Sequence, residues 1–264
     1  MTDVPRPESR WIERGAGEPV LLLHGLFGDM YHWEAVLEGL APECRPMALT
    51  LPILAPVSEP PSIAALGRHV THFLDALDMG RVVIGGNSLG GHVALHLALT
   101  CPERVAGLIL TGSSGLFERG IAGRVPLRPT STYVRHRMEE GFCDASLVTA
   151  PWVESVHRLV TDRATATRVL RMARAARRNN IQSQLREIRV PTLVIWGEED
   201  RITPLPVGRR FHALIADSQL WILTRCGHAP MLEQPHAFTA IVREWLRETW
   251  PRRAQLMSTS EAVR

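Results

Sequence analysis

The feature that most constrains the fold is one serine set among four glycines at the end of an apolar stretch. Val82 to Ile84 have the β-branched character of a buried strand, and the residues that follow, 85–91, read GGNSLGG. An apolar helical pattern then runs from about Ser88 to Leu99. A chain that turns this abruptly needs glycines on either side of the corner, because side chains there would collide. The Gly-x-Ser-x-Gly spacing therefore predicts a strained corner that exposes the Ser88 hydroxyl, rather than a flexible turn in which the serine is incidental.

Apolar strand-like runs and helical patterns alternate along most of the chain. Solid apolar strands that alternate with helices are typical of a parallel sheet covered on both faces. The predicted strands span residues 19–23, 46–51, 82–84, 105–110, 192–196 and 219–223, and the predicted helices span 29–40, 63–77, 88–99 and 236–250. The sequence therefore predicts an α/β fold built on a mostly parallel central sheet.

Residues 115–185 interrupt this alternation. They show helical patterns at 130–140, 151–160 and 161–178, without a convincing buried strand. The alternation resumes unchanged after them, so the simplest organisation is one α/β core, residues 1–114 and 186–251, that carries a helical insertion. Residues 252–264 are expected to form a flexible tail.

The amino-acid composition excludes several classes of function. All 30 basic residues of the 264-residue chain are arginine, which excludes a Schiff-base lysine and the phosphate-binding lysine of P-loop enzymes. The net charge of +3 is too small to indicate nucleic-acid binding, and the arginine-rich stretch 168–178 has no aromatic residues on which bases could stack. The four cysteines are too scattered for a metal cluster or a disulfide framework, which fits a reducing compartment.

The apolar runs are too short to span a membrane, and the first ten residues do not have the pattern of a secretory signal. We therefore expect a cytoplasmic protein that acts on a small-molecule substrate. We expect this protein to bind neither nucleic acid nor membrane and to need no metal or cofactor. Self-association into a homo-oligomer is left open.

Two loops beyond later strands offer groups that would activate a serine. A serine hydroxyl is a weak nucleophile without a base, and the base needs an orienting partner. The acids Glu198, Glu199 and Asp200 follow the strand 192–196, and His228 follows the strand 219–223. The three acids would otherwise form a surface charge cluster, and the histidine would otherwise be structural.

A loop early in the chain offers the remaining part. Residues 24–28, HGLFG, follow the first central strand, and such a glycine-flanked loop can turn a backbone N–H inward. A second N–H would come from Leu89, at the start of the helix after Ser88. Two such donors make an oxyanion hole for a tetrahedral intermediate.

Together these motifs resemble those of the α/β-hydrolase fold family, and the similarity covers nearly the whole chain. HG at residues 24–25 resembles the family's oxyanion turn, and GNSLGG resembles its nucleophile elbow. WGEEDRITP resembles its WGxxDxxxP acid loop, and CGHAPMLEQP resembles its GHxPxxExP histidine loop. The resemblance implies the α/β-hydrolase fold, with residues 115–185 as a helical cap.

The resemblance also implies roles for individual residues. Ser88 becomes the nucleophile, His228 the base, and Asp200 the acid, because of its spacing to Pro204 in the resembled loop. The oxyanion donors become the backbone N–H groups of Leu26 and Leu89. Gly25 and Phe27, in the same early loop, are expected to contact the substrate.

A serine nucleophile excludes the branches of the family that use aspartate there, the haloalkane dehalogenases and soluble epoxide hydrolases. We therefore expect hydrolysis of a carboxylic ester through an acyl-enzyme. The first alternative is a carbon–carbon bond hydrolase acting on ring meta-cleavage products of the 2-hydroxy-6-oxo-dienoate type, a branch that GNSLGG and LTGSSGLF resemble. The second alternative is a ligand receptor without turnover, since receptors of this fold can keep the triad.

Two positions bear on the choice between ester and carbon–carbon bond hydrolysis. Carbon–carbon hydrolases usually carry an aromatic residue soon after the catalytic histidine, whereas Ala229 and Pro230 follow it here, which favours the esterase. Arg158 lies roughly where the cap arginine of the carbon–carbon hydrolases sits, and it would then bind substrate. Otherwise its charge is expected to reach solvent.

Overall fold

The computed structural model describes residues 10–55, 60–116 and 129–261, with side chains as far as residue 250. Its strands are β1 Trp11–Glu13, β2 Pro19–Leu23, β3 Arg45–Leu49, β4 Val82–Asn87, β5 Val105–Thr111, β6 Thr192–Gly197 and β7 Ser218–Leu223. In this part of the chain they form a seven-stranded sheet in the order β1-β3-β2-β4-β5-β6-β7. β1 pairs antiparallel with β3, and the other pairings are parallel.

Successive residues of a strand point to opposite faces of the sheet. In β2, Leu21 and Leu23 belong to a hydrophobic core on one face, while Val20 and Leu22 belong to a core on the other. Because both faces are buried, the central strands read as unbroken apolar runs in the sequence.

Helices cover both of these faces. The described helices are α1 Glu34–Leu40, α2 Ile63–Ala76, α3 Leu89–Thr100, α4 Ser131–Glu139, α5 Ala150–Thr161, α6 Arg163–Arg178, α7 Leu205–Leu214, α8 Pro230–Glu233 and α9 Pro235–Glu261. On one face α2 and α7 bury Phe73 and Phe211, and on the other α1 and α9 bury Leu37 and Trp245. Each such side chain stabilises the fold by about 1.5–3 kcal/mol when fully buried. The predicted α/β-hydrolase architecture is confirmed.

Between β5 and β6 the described residues are helical and contain no strand. The side chains of Thr130, Thr149 and Asp162 accept backbone N–H groups at the starts of α4, α5 and α6, which fixes where each helix begins. Four valines, residues 134, 148, 153 and 156, form a small core between these helices. We call residues 129–187 the helical insertion.

Some predicted boundaries differ from the structure. β1 was not predicted, because three half-buried residues give no periodic signal. α7 was also not predicted. The closing helix extends to Glu261 instead of ending near Trp250, so much of the expected tail is helical. Residues 1–9 and 56–59 of the predicted core, 117–128 of the cap and 262–264 of the tail lie outside the described part, and the domain boundaries stay predictions. In the described chain, no helix combines the length and apolar character needed to cross a membrane.

Candidate active site

The corner between β4 and α3 has the strained geometry that its glycines predict. Ser88 joins the two elements with φ 54° and ψ −115°, a conformation that side chains strongly disfavour. Such strain costs on the order of 1–3 kcal/mol and persists only where the surrounding structure enforces it. Here the Ser88 N–H donates to the carbonyl of Thr111 at 3.1 Å, and the Ser88 carbonyl accepts from the Ser114 N–H at 3.0 Å.

The glycines around the corner make this conformation accessible. A Cβ on Gly86 would lie 2.2 Å from the carbonyl carbon of Gly90, and a Cβ on Gly90 would lie 2.2 Å from the carbonyl oxygen of Leu23. Both clashes are with backbone, which cannot move aside. The strand and the helix therefore approach this closely only with glycine at both positions, and the predicted elbow is confirmed as a backbone structure.

Two loops meet at the carboxyl ends of β6 and β7. We call residues 198–204, which contain Asp200, the acid loop, and residues 224–229, which contain His228, the base loop. Oδ2 of Asp200 lies 2.9 Å from Nδ1 of His228. A carboxylate oxygen accepts, so Nδ1 carries a proton, and in the neutral imidazole Nε2 is the nitrogen with the lone pair that a general base needs. The Asp200 side chain is fully buried, and the His228 side chain is 14% exposed.

Further donors hold the Asp200 carboxylate in place. Its Oδ1 accepts from the N–H groups of Ile202 and Thr203 at 2.8 and 2.9 Å, and its Oδ2 accepts from the Thr203 hydroxyl at 2.9 Å. A buried carboxylate needs this number of partners, because burial without them is very costly. The structure brings Asp200, rather than Glu198 or Glu199, to the histidine.

The amide of Asn87 ties the elbow to the base loop. Its Nδ2 donates to the carbonyl of His228 at 2.9 Å and to the carbonyl of Thr111 at 3.1 Å. Asn87 is the residue before Ser88, so one side chain fixes the serine corner relative to the backbone of the histidine. The parallel strands end at the same edge of the sheet, which explains how residues 141 positions apart come together.

The early loop lies directly against the elbow. A Cβ on Gly25 would sit 3.3 Å from the Cβ of Ser88. The Gly25 carbonyl accepts from the Gly28 N–H at 3.0 Å and lies 2.7 Å from Nδ1 of His24. Because the Gly25–Leu26 peptide is trans, the Leu26 N–H points away from this carbonyl and its two donors. This direction follows from the trans peptide alone, so the oxyanion role of Leu26 stays a prediction.

His24 is bonded on both ring nitrogens, and these bonds define its protonation state. The backbone N–H of Leu51 donates to its Nε2 at 2.9 Å, so Nε2 is unprotonated and Nδ1 is the donor to Gly25. Burial lowers the pKa of His24, against the opposing effects of the Gly25 carbonyl and Asp29, which keeps the imidazole neutral.

The remaining predicted residues differ in exposure. Leu89 is buried and begins α3, so its N–H is one that the helix itself does not use. Leu26 is half-buried and Phe27 is 37% exposed. Arg158 lies on α5 with its side chain exposed, while Val153 and Val156 of the same helix are buried. The catalytic, oxyanion and substrate-contacting roles stay predictions.

Sequence reasoning missed several residues that shape this site. Asn87, Thr203 and Glu233 stand inside the quoted motifs, but nothing in one sequence says which backbone groups they meet. His92 was also missed, a fully buried imidazole one turn beyond Ser88. Its Nε2 lies 2.8 Å from Oδ1 of Asn179, at the end of α6, and its Nδ1 lies 3.3 Å from the Ser114 hydroxyl. Its helical spacing from Ser88 was the available signal.

A strained serine corner, a histidine bonded to a buried aspartate and a facing backbone loop on a mostly parallel sheet define an α/β-hydrolase. Residues 20–241 match the alpha/beta hydrolase family, and the chain belongs to that family.

Three of the similar proteins are hydrolases or esterases. The 2-hydroxy-6-oxo-2,4-heptadienoate hydrolase of Pseudomonas putida is 31% identical over 255 residues, which are 90% of this chain and 92% of that protein. The structure of the meta-cleavage product hydrolase from Pseudomonas fluorescens IP01 matches with a TM-score of 0.81 and 26% identity, over 91% and 94% of the two chains. A thermophilic esterase from Thermogutta terrifontis matches with a TM-score of 0.75 and 26% identity, over 91% and 93%.

Proposed function

We propose that this protein is a serine hydrolase that cleaves a carbon–carbon bond beside the ketone of a 2-hydroxy-6-oxo-dienoate. The observation that carries the proposal is the 31% identity to a 2-hydroxy-6-oxo-2,4-heptadienoate hydrolase over nearly the full length of both chains. This is the first alternative of the sequence analysis. It is better supported by the relatives than ester hydrolysis, which was expected there.

The site has the groups that such a reaction needs. The substrate first takes its keto form: the proton of the 2-hydroxyl group moves to C5, so that C2 carries a carbonyl conjugated with the C3–C4 double bond. The Ser88 oxygen attacks the C6 ketone and passes its proton to Nε2 of His228, while Asp200 stabilises the resulting imidazolium. The negative oxygen at C6 is stabilised by the N–H groups of Leu26 and Leu89.

Collapse of this intermediate breaks the C5–C6 bond. The electron pair of the bond passes to C5 and is delocalised to the C2 carbonyl through the C3–C4 double bond. The imidazolium of His228 supplies the proton that the departing fragment takes up. The acyl group stays on Ser88 as an ester, and a water molecule deprotonated by His228 releases it as a carboxylic acid. One water is consumed for each bond that is cleaved.

Ester hydrolysis is the second candidate, and Arg158 favours it. A carbon–carbon hydrolase that used this arginine to stabilise a dienolate would direct it at the substrate near Ser88. Here Arg158 is an exposed residue, which is compatible with a side chain that reaches solvent, as expected for the esterase. Ala229 and Pro230, where an aromatic residue was expected for carbon–carbon hydrolysis, point the same way.

A direct comparison of substrates tests the proposal. Purified protein is assayed with 2-hydroxy-6-oxo-hepta-2,4-dienoate, by loss of the dienoate absorbance, and with p-nitrophenyl acetate and butyrate. We expect a higher kcat/KM on the dienoate than on either ester. Turnover of the esters with no dienoate cleavage would establish the esterase instead. One equivalent of ligand retained without turnover would indicate the receptor.

A further inference from the structure

A turn of the helical insertion, residues 141–143, contacts the loop that carries His228. The carbonyl of Gly141 accepts from the backbone N–H of His228 at 2.7 Å. The turn follows α4 and is closed by its own backbone hydrogen bonds, from Gly141 to Met138 at 3.0 Å and from Phe142 to Glu139 at 3.1 Å. The main chain of the histidine is therefore held by the insertion and not only by the sheet domain.

The carboxylate of Glu233 joins the same two segments. Its Oε1 accepts from the N–H of Gly227 at 2.8 Å, and its Oε2 accepts from the N–H of Cys143 at 2.7 Å. Glu233 is the last residue of α8, five positions after His228. One half-buried carboxylate thus spans the base loop and the insertion with one oxygen on each.

The two segments are packed as closely as backbone allows. A Cβ on Gly227 would lie 2.6 Å from the carbonyl oxygen of Gly141 and 3.1 Å from the nitrogen of Cys143. Between these two residues, Phe142 packs edge-on against Trp152 of α5 at 5.6 Å. A shift of the insertion would therefore carry the turn with it and pull on the base loop.

We propose that Glu233 is a positioning residue that couples the seating of the helical insertion to the alignment of His228. Asp200 fixes Nδ1 of the imidazole, but the direction of Nε2 also depends on where the backbone of residues 227 and 228 lies. The Gly227 N–H donates to Glu233, and the His228 N–H donates to the Gly141 carbonyl of the insertion turn. Glu233 is itself bonded to the turn through the N–H of Cys143. When the insertion lifts, both bonds to the turn are lost and the base leaves its catalytic position. This inference rests on the proposed role of His228 as the base.

The variant Glu233→Gln tests the coupling, because it changes the hydrogen-bonding groups of the side chain and leaves its size almost unchanged. An amide offers one acceptor oxygen and one NH₂ group, so it can satisfy Gly227 or Cys143 but not both. We expect kcat to fall by about 10- to 100-fold, since small displacements of a catalytic group have effects of that size, with KM within a few-fold. The pH profile of kcat and the downfield NMR resonance of the His228 Nδ1 proton should both shift.

The matched control is Glu198→Gln. Glu198 is an exposed glutamate in the acid loop, so this variant makes the same change in charge and leaves the Glu233 contacts intact. Its kcat, pH profile and NMR resonance should equal those of the wild type. An unchanged kcat and pH profile in Glu233→Gln would overturn the proposal, as would equal effects in the two variants.

A measurement on the wild-type protein covers the case in which Glu233→Gln does not fold. Native-state hydrogen exchange gives a free energy of opening for the amides of Cys143 and His228, which form the two bonds between the insertion turn and the base loop. The proposal requires one shared value for these two amides, because both bonds break together when the insertion lifts. Distinct values for Cys143 and His228 would refute the coupling. This result does not depend on any substrate, so it is separate from a failure of the proposed function.

Discussion

Nδ1 of His228 lies 2.9 Å from Oδ2 of Asp200, and the Asp200 side chain is completely buried. The neighbouring carboxylate of Glu199 is used differently, since it accepts the N–H groups of Arg225 and Cys226 at 3.2 and 2.9 Å. One acid of the loop therefore orients the imidazole, and the other fixes the backbone that leads to it. The two carboxylates should have separable effects on activity.

We predict that Asp200→Asn lowers kcat by on the order of 10³- to 10⁴-fold. The amide can still accept from Ile202 and Thr203, but its NH₂ group would face Nδ1–H of His228, so the imidazole takes the wrong tautomer. Steady-state kinetics on the best substrate give the effect. Glu199→Gln serves as the comparison and should lose much less activity. A larger loss in Glu199→Gln than in Asp200→Asn would mean that the acid is misassigned.

The nucleophile can be tested together with its backbone strain. Ser88→Ala should abolish turnover and leave the fold intact, because the hydroxyl contributes chemistry and little packing. Ser88→Gly should be equally inactive but more stable than Ser88→Ala by about 1 kcal/mol, because glycine adopts φ 54°, ψ −115° at much lower cost. Denaturant unfolding of the two variants measures the difference. Near wild-type activity in either one would refute the assignment of Ser88.

Some contacts of this site could be predicted from the sequence, and others could not. The central strands and the order of Ser88, Asp200 and His228 follow from burial on both faces of the sheet and from ordered motifs. The bonds of Asn87 and Glu233 go to backbone atoms of distant segments, and no pattern of residue types encodes such an acceptor. The extension of α9 was missed for a different reason, since Pro251 signals the end of a helix unless other contacts favour continuing it.

A pH effect on stability should trace to His92. Its imidazole is fully buried, and burial lowers its pKa from 6.5 to about 4. Below pH 6.5 the unfolded chain binds a proton that the folded chain refuses, so stability falls as the pH drops from 6.5 towards 4. The loss attributable to this residue is about 3 kcal/mol, at 1.36 kcal/mol per pKa unit.

The variant His92→Gln isolates this contribution, because glutamine is polar and does not titrate. We expect denaturant unfolding at pH 7 and pH 4.5 to show a smaller drop in stability for His92→Gln than for the wild type. Other histidines whose pKa burial lowers, including His24 and His32, titrate in both proteins and cancel in the comparison. Equal drops in the two proteins would show that His92 is not the source.

The last prediction concerns Arg158, where ester and carbon–carbon bond hydrolysis differ. Its guanidinium is exposed on α5 and forms no ion pair with the described residues, so it is available to an anionic substrate in solvent. An exposed pair of charges contributes at most about 1 kcal/mol, so Arg158→Ala should raise KM for the dienoate by roughly fivefold or less and leave kcat unchanged. Neutral p-nitrophenyl esters should be unaffected. Arg163→Ala, which removes another exposed arginine of the insertion, is the control and should leave both substrates unchanged. A collapse of kcat on the dienoate alone would mean that Arg158 turns inward and stabilises the dienolate charge, whereas equal losses on both substrates would exclude a role in recognising the carboxylate.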